Sequence, residues 1–166
     1  MKLREDLSKR GPIRVAVVGA GLMGSGLVAQ LKTIHNIDVI LWSSRREDGL
    51  AQKAKAAGLK EGAYAFAGDK NEAEALLEEG KMILTTDNSL AWRLDGVDAI
   101  CDCTGNTEAG ACINENGLEA GKHIISFNVE CDVLLGPYFL KKAKEKGLCY
   151  TGTAGDEPGA IMELYN

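Results

Sequence analysis

A short apolar run, Ile13–Val18, ends in three glycines spaced G-x-G-x-x-G (Gly19, Gly21 and Gly24), and a helix-patterned segment, Ser25–Lys32, follows. Nothing else in the chain constrains its fold as strongly, because strand, glycine turn and helix in that order open a dinucleotide-binding unit. Gly19 permits the tight turn, Gly21 lets the backbone approach a pyrophosphate with no Cβ in the way, and Gly24 lets the helix pack close to the strand. Free amides around Leu22 and Met23, together with the helix dipole, favour phosphate charge there. The competing reading is a glycine turn that only packs a helix on a sheet.

The rest of the chain continues the alternation. Apolar runs at Ile37–Trp42, Lys81–Thr85, Val97–Cys103, His123–Phe127 and Leu148–Thr151 read as strands. Helical patterns fall at Arg46–Ala57, Glu72–Glu79, Ser89–Leu94, Thr107–Ala120 and Gly136–Lys146, several closed by a glycine. Asp69 or Asn71 is placed to cap the helix before Glu79, and Leu59–Gly68 shows no clear period. The strands are continuously apolar rather than alternating, as strands buried on both faces are. The expected fold is therefore α/β: a Rossmann-type, doubly wound, mainly parallel sheet with helices on both faces. Residues 1–12 read as an N-terminal helix (Met1–Lys9) and a Gly11-Pro12 linker, 13–155 as the nucleotide-binding domain, and 156–166 as the start of a following segment.

At 166 residues the chain suffices for one domain with a proper core. A net charge of −5 argues against a nucleic-acid surface, which needs clustered Lys and Arg, and fits a small-molecule partner. No apolar run approaches a membrane span, and the mixed-charge N-terminus lacks the apolar region of a signal peptide. Five cysteines, an odd number without paired C-x-x-C spacing, read as reduced thiols of a cytoplasmic protein, and no metal site is expected.

The end of the second strand distinguishes the two nicotinamide dinucleotides. NAD-binding units place an acidic residue there for the ribose 2′-hydroxyl. This chain reads Trp42-Ser43-Ser44-Arg45-Arg46, with no carboxylate before Glu47. Two hydroxyls and two guanidiniums suit a 2′-phosphate, so NADP is expected over NAD. A solvated helix start is the alternative for Arg45 and Arg46.

Ligands in open parallel sheets bind beyond the carboxyl ends of the strands. Thr104, Gly105 and Asn106 reach that edge and are expected to flank a nicotinamide. Asn128, Glu130 and Asp132 reach it too, as does the segment containing Asp156 and Glu157. Glu130 and Asp132 could serve as an acid–base pair, substrate anchors or cation ligands; Asp132 could equally start a helix. The signatures of zinc proteases, serine hydrolases and P-loop enzymes are missing.

The runs V-A-V-V-G-A-G-L-M-G-S-G, D-A-I-C-D-C-T-G-N-T-E-A-G-A, G-K-H-I-I-S-F-N-V-E-C-D-V-L-L-G-P and G-D-E-P-G-A-I-M-E-L occur in that order. Together they resemble the homoserine-dehydrogenase-like oxidoreductases that carry a C-terminal SAF domain, a group that includes 1-deoxy-D-xylulose 5-phosphate reductoisomerase-like enzymes. The resemblance spans Ile13 to Leu164. It implies an NADP-linked dehydrogenase or reductase of a small hydroxy- or oxo-substrate. It further implies cofactor contacts at Gly19–Gly24, Ser43–Arg46, Thr104–Asn106 and Asn128, and catalytic positions at Glu130 and Asp156. Members of that group continue through a long catalytic and dimerising region. The resemblance thus implies an excised domain, or a short protein that relies on a partner subunit or homo-oligomer. The alternative function is a nucleotide-binding regulatory module that senses redox state without chemistry of its own.

Overall fold

The computed structural model describes residues 11–153. Among them, seven strands alternate with six helices: β1 (Ile13–Val18), α1 (Leu22–Leu31), β2 (Ile37–Ser43), α2 (Leu50–Ala56), β3 (Tyr64–Phe66), α3 (Lys70–Glu78), β4 (Met82–Thr85), α4 (Leu90–Arg93), β5 (Ala99–Asp102), α5 (Thr107–Glu119), β6 (His123–Ser126), α6 (Val129–Glu145) and β7 (Tyr150–Gly152). The strands form one sheet ordered β3-β4-β2-β1-β5-β6-β7, and every neighbouring pair is parallel. This is the doubly wound parallel sheet expected from the continuously apolar strands.

Alternate residues of β1 feed two cores. Val15 and Val17 join Val28 of α1 and Leu50 and Ala54 of α2 on one face. Ala16 and Val18 join Ala73 of α3, Leu90 of α4, Ile113 and Leu118 of α5, and Phe139 of α6 on the other. Leu41, Ile83, Leu84 and Ile100 are fully buried, each contributing about 1.5–3 kcal/mol relative to exposure. The strand order reverses at β1, with β2 on one side and β5 on the other. The crevice between the loops after β1 and β5 is where such sheets hold ligands.

Several boundaries differ from expectation. The aperiodic stretch Leu59–Gly68 contains β3, three residues paired with Met82–Leu84 and too short to show a period. Helix α6 begins at Val129, not Gly136; Gly136-Pro137 is no breaker, and Pro137 lies inside the helix. The helix is launched instead by Asn128, whose side chain accepts the Cys131 N–H at 3.1 Å. Asp132 is consequently a first-turn residue, accepting the Tyr150 hydroxyl at 2.8 Å. Helix α2 starts at Leu50, so Arg45 and Arg46 lie in a loop rather than on a helix. Asp69, not Asn71, caps α3, accepting the Glu72 N–H at 3.0 Å, and Glu72 in turn accepts the Gly68 N–H at 2.7 Å.

Helices α5 and α6 are joined on their outer surface by ion pairs. Lys142 reaches both Glu115 and Glu119, and Lys146 reaches Glu119 at 2.7 Å. Hydrogen bonds from Lys142 and Lys146 hold the Glu119 carboxyl down at about 2. Met1–Lys9, Asp156 and Ala160–Tyr165 lie outside the described residues.

Candidate functional site

The first turn of the sheet is built from the backbone outward. Gly19 has φ +111°, and a Cβ there would lie 2.5 Å from the Cys103 carbonyl oxygen. A Cβ on Gly24 would collide with the Gly19 carbonyl oxygen. Both glycines are thus required by the protein's own packing. Gly21 is different. Its φ of −74° suits any residue, and a Cβ there would meet nothing within 4 Å. It occupies the N-cap of α1 without a side-chain hydrogen bond, where Ser, Asp or Asn would cap the helix better. The first intrahelical bond runs from Ser25 N–H to the Gly21 carbonyl at 3.0 Å. The amides of Leu22, Met23 and Gly24 are therefore free of helical partners. The turn is pinned from beneath. The buried Trp42 donates its indole N–H to the Gly19 carbonyl at 3.0 Å, and the Gly19 N–H donates to the Ser43 carbonyl at 3.0 Å.

Over this turn opens a cleft of about 570 Å³, within the range of small-molecule sites. Gly19, Ala20 and Gly21 form its floor; Ser44, Arg45, Arg46, Asp48 and Lys53 form one end, Asn88 borders it, and Cys103, Thr104, Asn106 and Ala109 form the other side. The Lys53 ammonium donates to the Ala20 carbonyl, which fixes a positive charge beside the glycine turn. Three cationic side chains face one carboxylate here, although the whole chain carries −5. Among the described residues neither Arg45 nor Arg46 enters an ion pair. Of the two serines read at this position, only Ser44 lines the cleft. The Ser43 side chain is buried in the sheet with its hydroxyl unpartnered, so its contribution to the turn is the carbonyl that holds Gly19.

The loops after β5 and β6 meet in a buried polar knot. Asp102, fully buried at the end of β5, accepts from the Thr104 N–H at 3.0 Å, the Thr104 hydroxyl at 2.7 Å and the Asn128 amide at 3.2 Å. The same Asn128 amide reaches Thr104 Oγ1 at 3.0 Å and the Asn106 carbonyl at 2.9 Å. Asn106 caps α5 by accepting the Ala109 N–H at 2.8 Å. Burial raises the Asp102 carboxyl above its ordinary range, against opposing hydrogen bonds from Thr104 and Asn128. Burial also pushes the Cys101 thiol up to about 12 and the Cys103 thiol higher still. Burial thus disfavours the reactive thiolate at both.

The candidate residues therefore divide. The structure gathers Gly19, Gly21, Ser44, Arg45, Arg46, Thr104 and Asn106 around one cleft. Leu22 and Met23 are exposed beside it in the first turn of α1, and Gly105, with φ +60°, lies between its two lining neighbours. Asn128 is fully buried, so it acts on the cleft through Thr104 and Asn106 rather than lining it. Glu130 is exposed in the first turn of α6 and does not line the cleft. Asp102, Lys53 and Asn88 were not singled out from the sequence. Lys53 left a faint trace, a lysine three residues after Leu50 and next to Ala54 on the buried stripe of α2. A second cavity, of about 420 Å³, lies by the starts of β1, β2 and β4. Two of its cations are already engaged, Lys32 with the Gly58 carbonyl and Lys81 with Glu79 at 2.6 Å. No helix among the described residues is long and apolar enough to cross a membrane.

No family model and no curated protein matches the chain. Solved structures match well. A homoserine dehydrogenase from Thiobacillus denitrificans aligns over 82% of this chain and 28% of its own, at 21% identity and a TM-score of 0.61. The S. aureus homoserine dehydrogenase aligns over 86% and 33%, at 17% identity and a TM-score of 0.63. A provisionally named NADPH-dependent oxidoreductase from Desulfitobacterium hafniense aligns over 93% and 38%, at 14% identity and a TM-score of 0.62. The fold is Rossmann-type. The likeness at these identities establishes the fold alone, and the chain spans only about a third of the length of these proteins.

Proposed function

We propose that this chain is the NADP-binding domain of an oxidoreductase, homoserine-dehydrogenase-like, acting on a small hydroxy- or oxo-substrate. The observation that carries this reading is Gly21. Neither its backbone angles nor its packing requires glycine, and a side chain there would project into open space at the floor of the cleft. The remaining demand for a bare Cα comes from outside the chain, as a diphosphate on the α1 amides would impose.

The residues present fit the dinucleotide along its length. The Gly19–Gly24 amides would hold the diphosphate. Ser44, Arg45, Arg46 and Lys53 would hold the 2′-phosphate, with guanidiniums free to bind it in pairs of hydrogen bonds. Thr104, Gly105 and Asn106 would border the nicotinamide, and Asp102 and Asn128 keep that loop in place beneath it. When bound, the cofactor supplies hydride transfer. Glu130 is our candidate for contact with the substrate or its proton, and so is Asp156, which lies outside the described residues. Substrate binding would draw on a further region or a partner subunit, as in proteins about three times this length. Five free thiols suit a reducing compartment such as the cytoplasm.

Calorimetric titration with NADPH and NADH tests the reading. NADPH should bind at least about tenfold more tightly, and Gly21→Val should weaken binding about a hundredfold or more while the protein stays folded. Equal affinities would remove the 2′-phosphate assignment, and an unaffected Gly21→Val variant would remove the site. One observation favours a second reading, a redox-sensing module without chemistry: Glu130 stands outside the cleft. Loss of reduced-nicotinamide absorbance on adding small oxo-acids or aldehydes would decide for the enzyme.

A further inference from the structure

The neighbours of the 2′-phosphate loop say where the base of the nucleotide must go. At the carboxyl edge the glycine turn follows β1, the Ser44–Arg46 loop follows β2, and β4 lies on the far side of β2. Ser43 and Thr85 are register partners, and the Ser44 N–H donates to the Thr85 carbonyl at 3.0 Å. With the diphosphate on the first loop and the ribose on the second, the base extends toward the third, residues 86–89.

That loop is internally ordered. The Asp87 N–H donates to Thr85 Oγ1 at 3.0 Å, and Asp87 Oδ1 accepts the Ser89 N–H at 2.8 Å. Asn88, between them, borders the cleft; its carbonyl accepts the Ala91 N–H at 3.1 Å, but its side chain takes no part in these turns. Its amide oxygen is buried and has no hydrogen-bond partner. A buried oxygen without a donor is costly and rare. Turning this amide toward a donor held in the cleft would give the oxygen a partner and break no hydrogen bond at that oxygen.

We infer that Asn88 recognises the adenine base, its amide oxygen accepting the 6-amino group of the nucleotide. An asparagine amide complements adenine by accepting from the 6-amino group and donating to a ring nitrogen. The inference rests on the dinucleotide reading above and adds base specificity to it.

The test is a set of titrations of the full chain with NADPH and with its hypoxanthine counterpart, in which a carbonyl replaces the 6-amino group. The wild type should prefer NADPH about tenfold, the usual worth of one such base contact. Asn88→Ala should bring the two affinities together. Asn88→Asp, the same size and purely an acceptor, should widen the preference, since its carboxylate accepts from the amino group and repels the carbonyl. Wild type that binds NADPH without discriminating overturns the inference alone, as does Asn88→Ala with the wild-type ratio or Asn88→Asp with a narrowed one. Wild type that binds neither compound overturns both this and the dinucleotide reading.

Discussion

The carboxyl edge of the sheet is finished in two ways. On the β4–β2–β1 side the polar groups are left without partners: helical amides at Leu22–Gly24, the guanidiniums of Arg45 and Arg46, the oxygen of Asn88. On the β5–β6 side they are consumed. Asp102, Thr104, Asn106 and Asn128 satisfy one another, and Asn106 and Asn128 cap α5 and α6 from their own side chains. A self-satisfied network is complete without a ligand and serves to hold a loop still. An edge of unmatched donors and cations offers a place for an anion. One half is thus open to a ligand, and the other half positions a loop.

The sharpest test of that contrast lies within the glycine motif itself. Gly24→Ala forces a methyl into the Gly19 carbonyl and should cost at least about 3 kcal/mol of stability. Gly21→Val faces open space and should cost about 1 kcal/mol or less, yet weaken NADPH binding by about a hundredfold or more. Chemical denaturation and calorimetry on the pair separate the two. Similar stability losses would erase the distinction between internal and external demand.

Next in size is Asp102→Asn, which keeps one oxygen for the Thr104 donors but sets an amide against the Asn128 amide at the other, and should cost about 2 kcal/mol at acid pH. The cost should shrink as pH rises. Burial holds the Asp102 carboxyl above its ordinary value of 3.8, so the native state binds that proton more tightly than the unfolded chain. The associated stabilisation is full below the unfolded value and is lost as pH climbs through the raised one. The variant, neutral throughout, lacks this slope. Thermal melts from about pH 4 to pH 7 should bring the two proteins closer together; parallel curves would contradict a raised carboxyl.

Arg45→Ala and Arg46→Ala should each weaken NADPH about tenfold and leave NADH unchanged, since both are exposed and unpaired. Equal losses for the two nucleotides would relocate the arginines to the diphosphate. At the bottom of the scale, Glu119→Gln removes an exposed carboxylate paired with Lys142 and Lys146 and should leave the melting temperature where it was. A clear drop would mean that the α5–α6 seam matters more to the β5–β6 half than its exposure suggests.

These two halves were unequally legible in the sequence. The open half is local: Gly19, Gly21 and Gly24 lie within six residues, and Ser44–Arg46 follow a visible strand, so spacing alone singles them out as candidates. The positioning half is non-local. Asp102 and Asn128 are separated by 26 residues, and only the parallel pairing of β5 with β6 brings them together. Asn128 is a candidate by its place at the carboxyl edge and by resemblance, but its burial and its work as a cap are hidden, because Gly136-Pro137 reads as the start of α6 rather than its middle. Asp102, a carboxylate at the end of an apolar strand, is the sequence's own signal of this knot.

The indole beneath the glycine turn gives the molecule an optical reporter. Trp42 is sealed from water and tethered to Gly19, directly under the cleft, whereas Trp92 packs against the opposite core. Replacing Trp92 with phenylalanine would leave a single emitter at the cleft floor, so that quenching by the reduced coenzyme could be followed in real time, without labels, during rapid mixing.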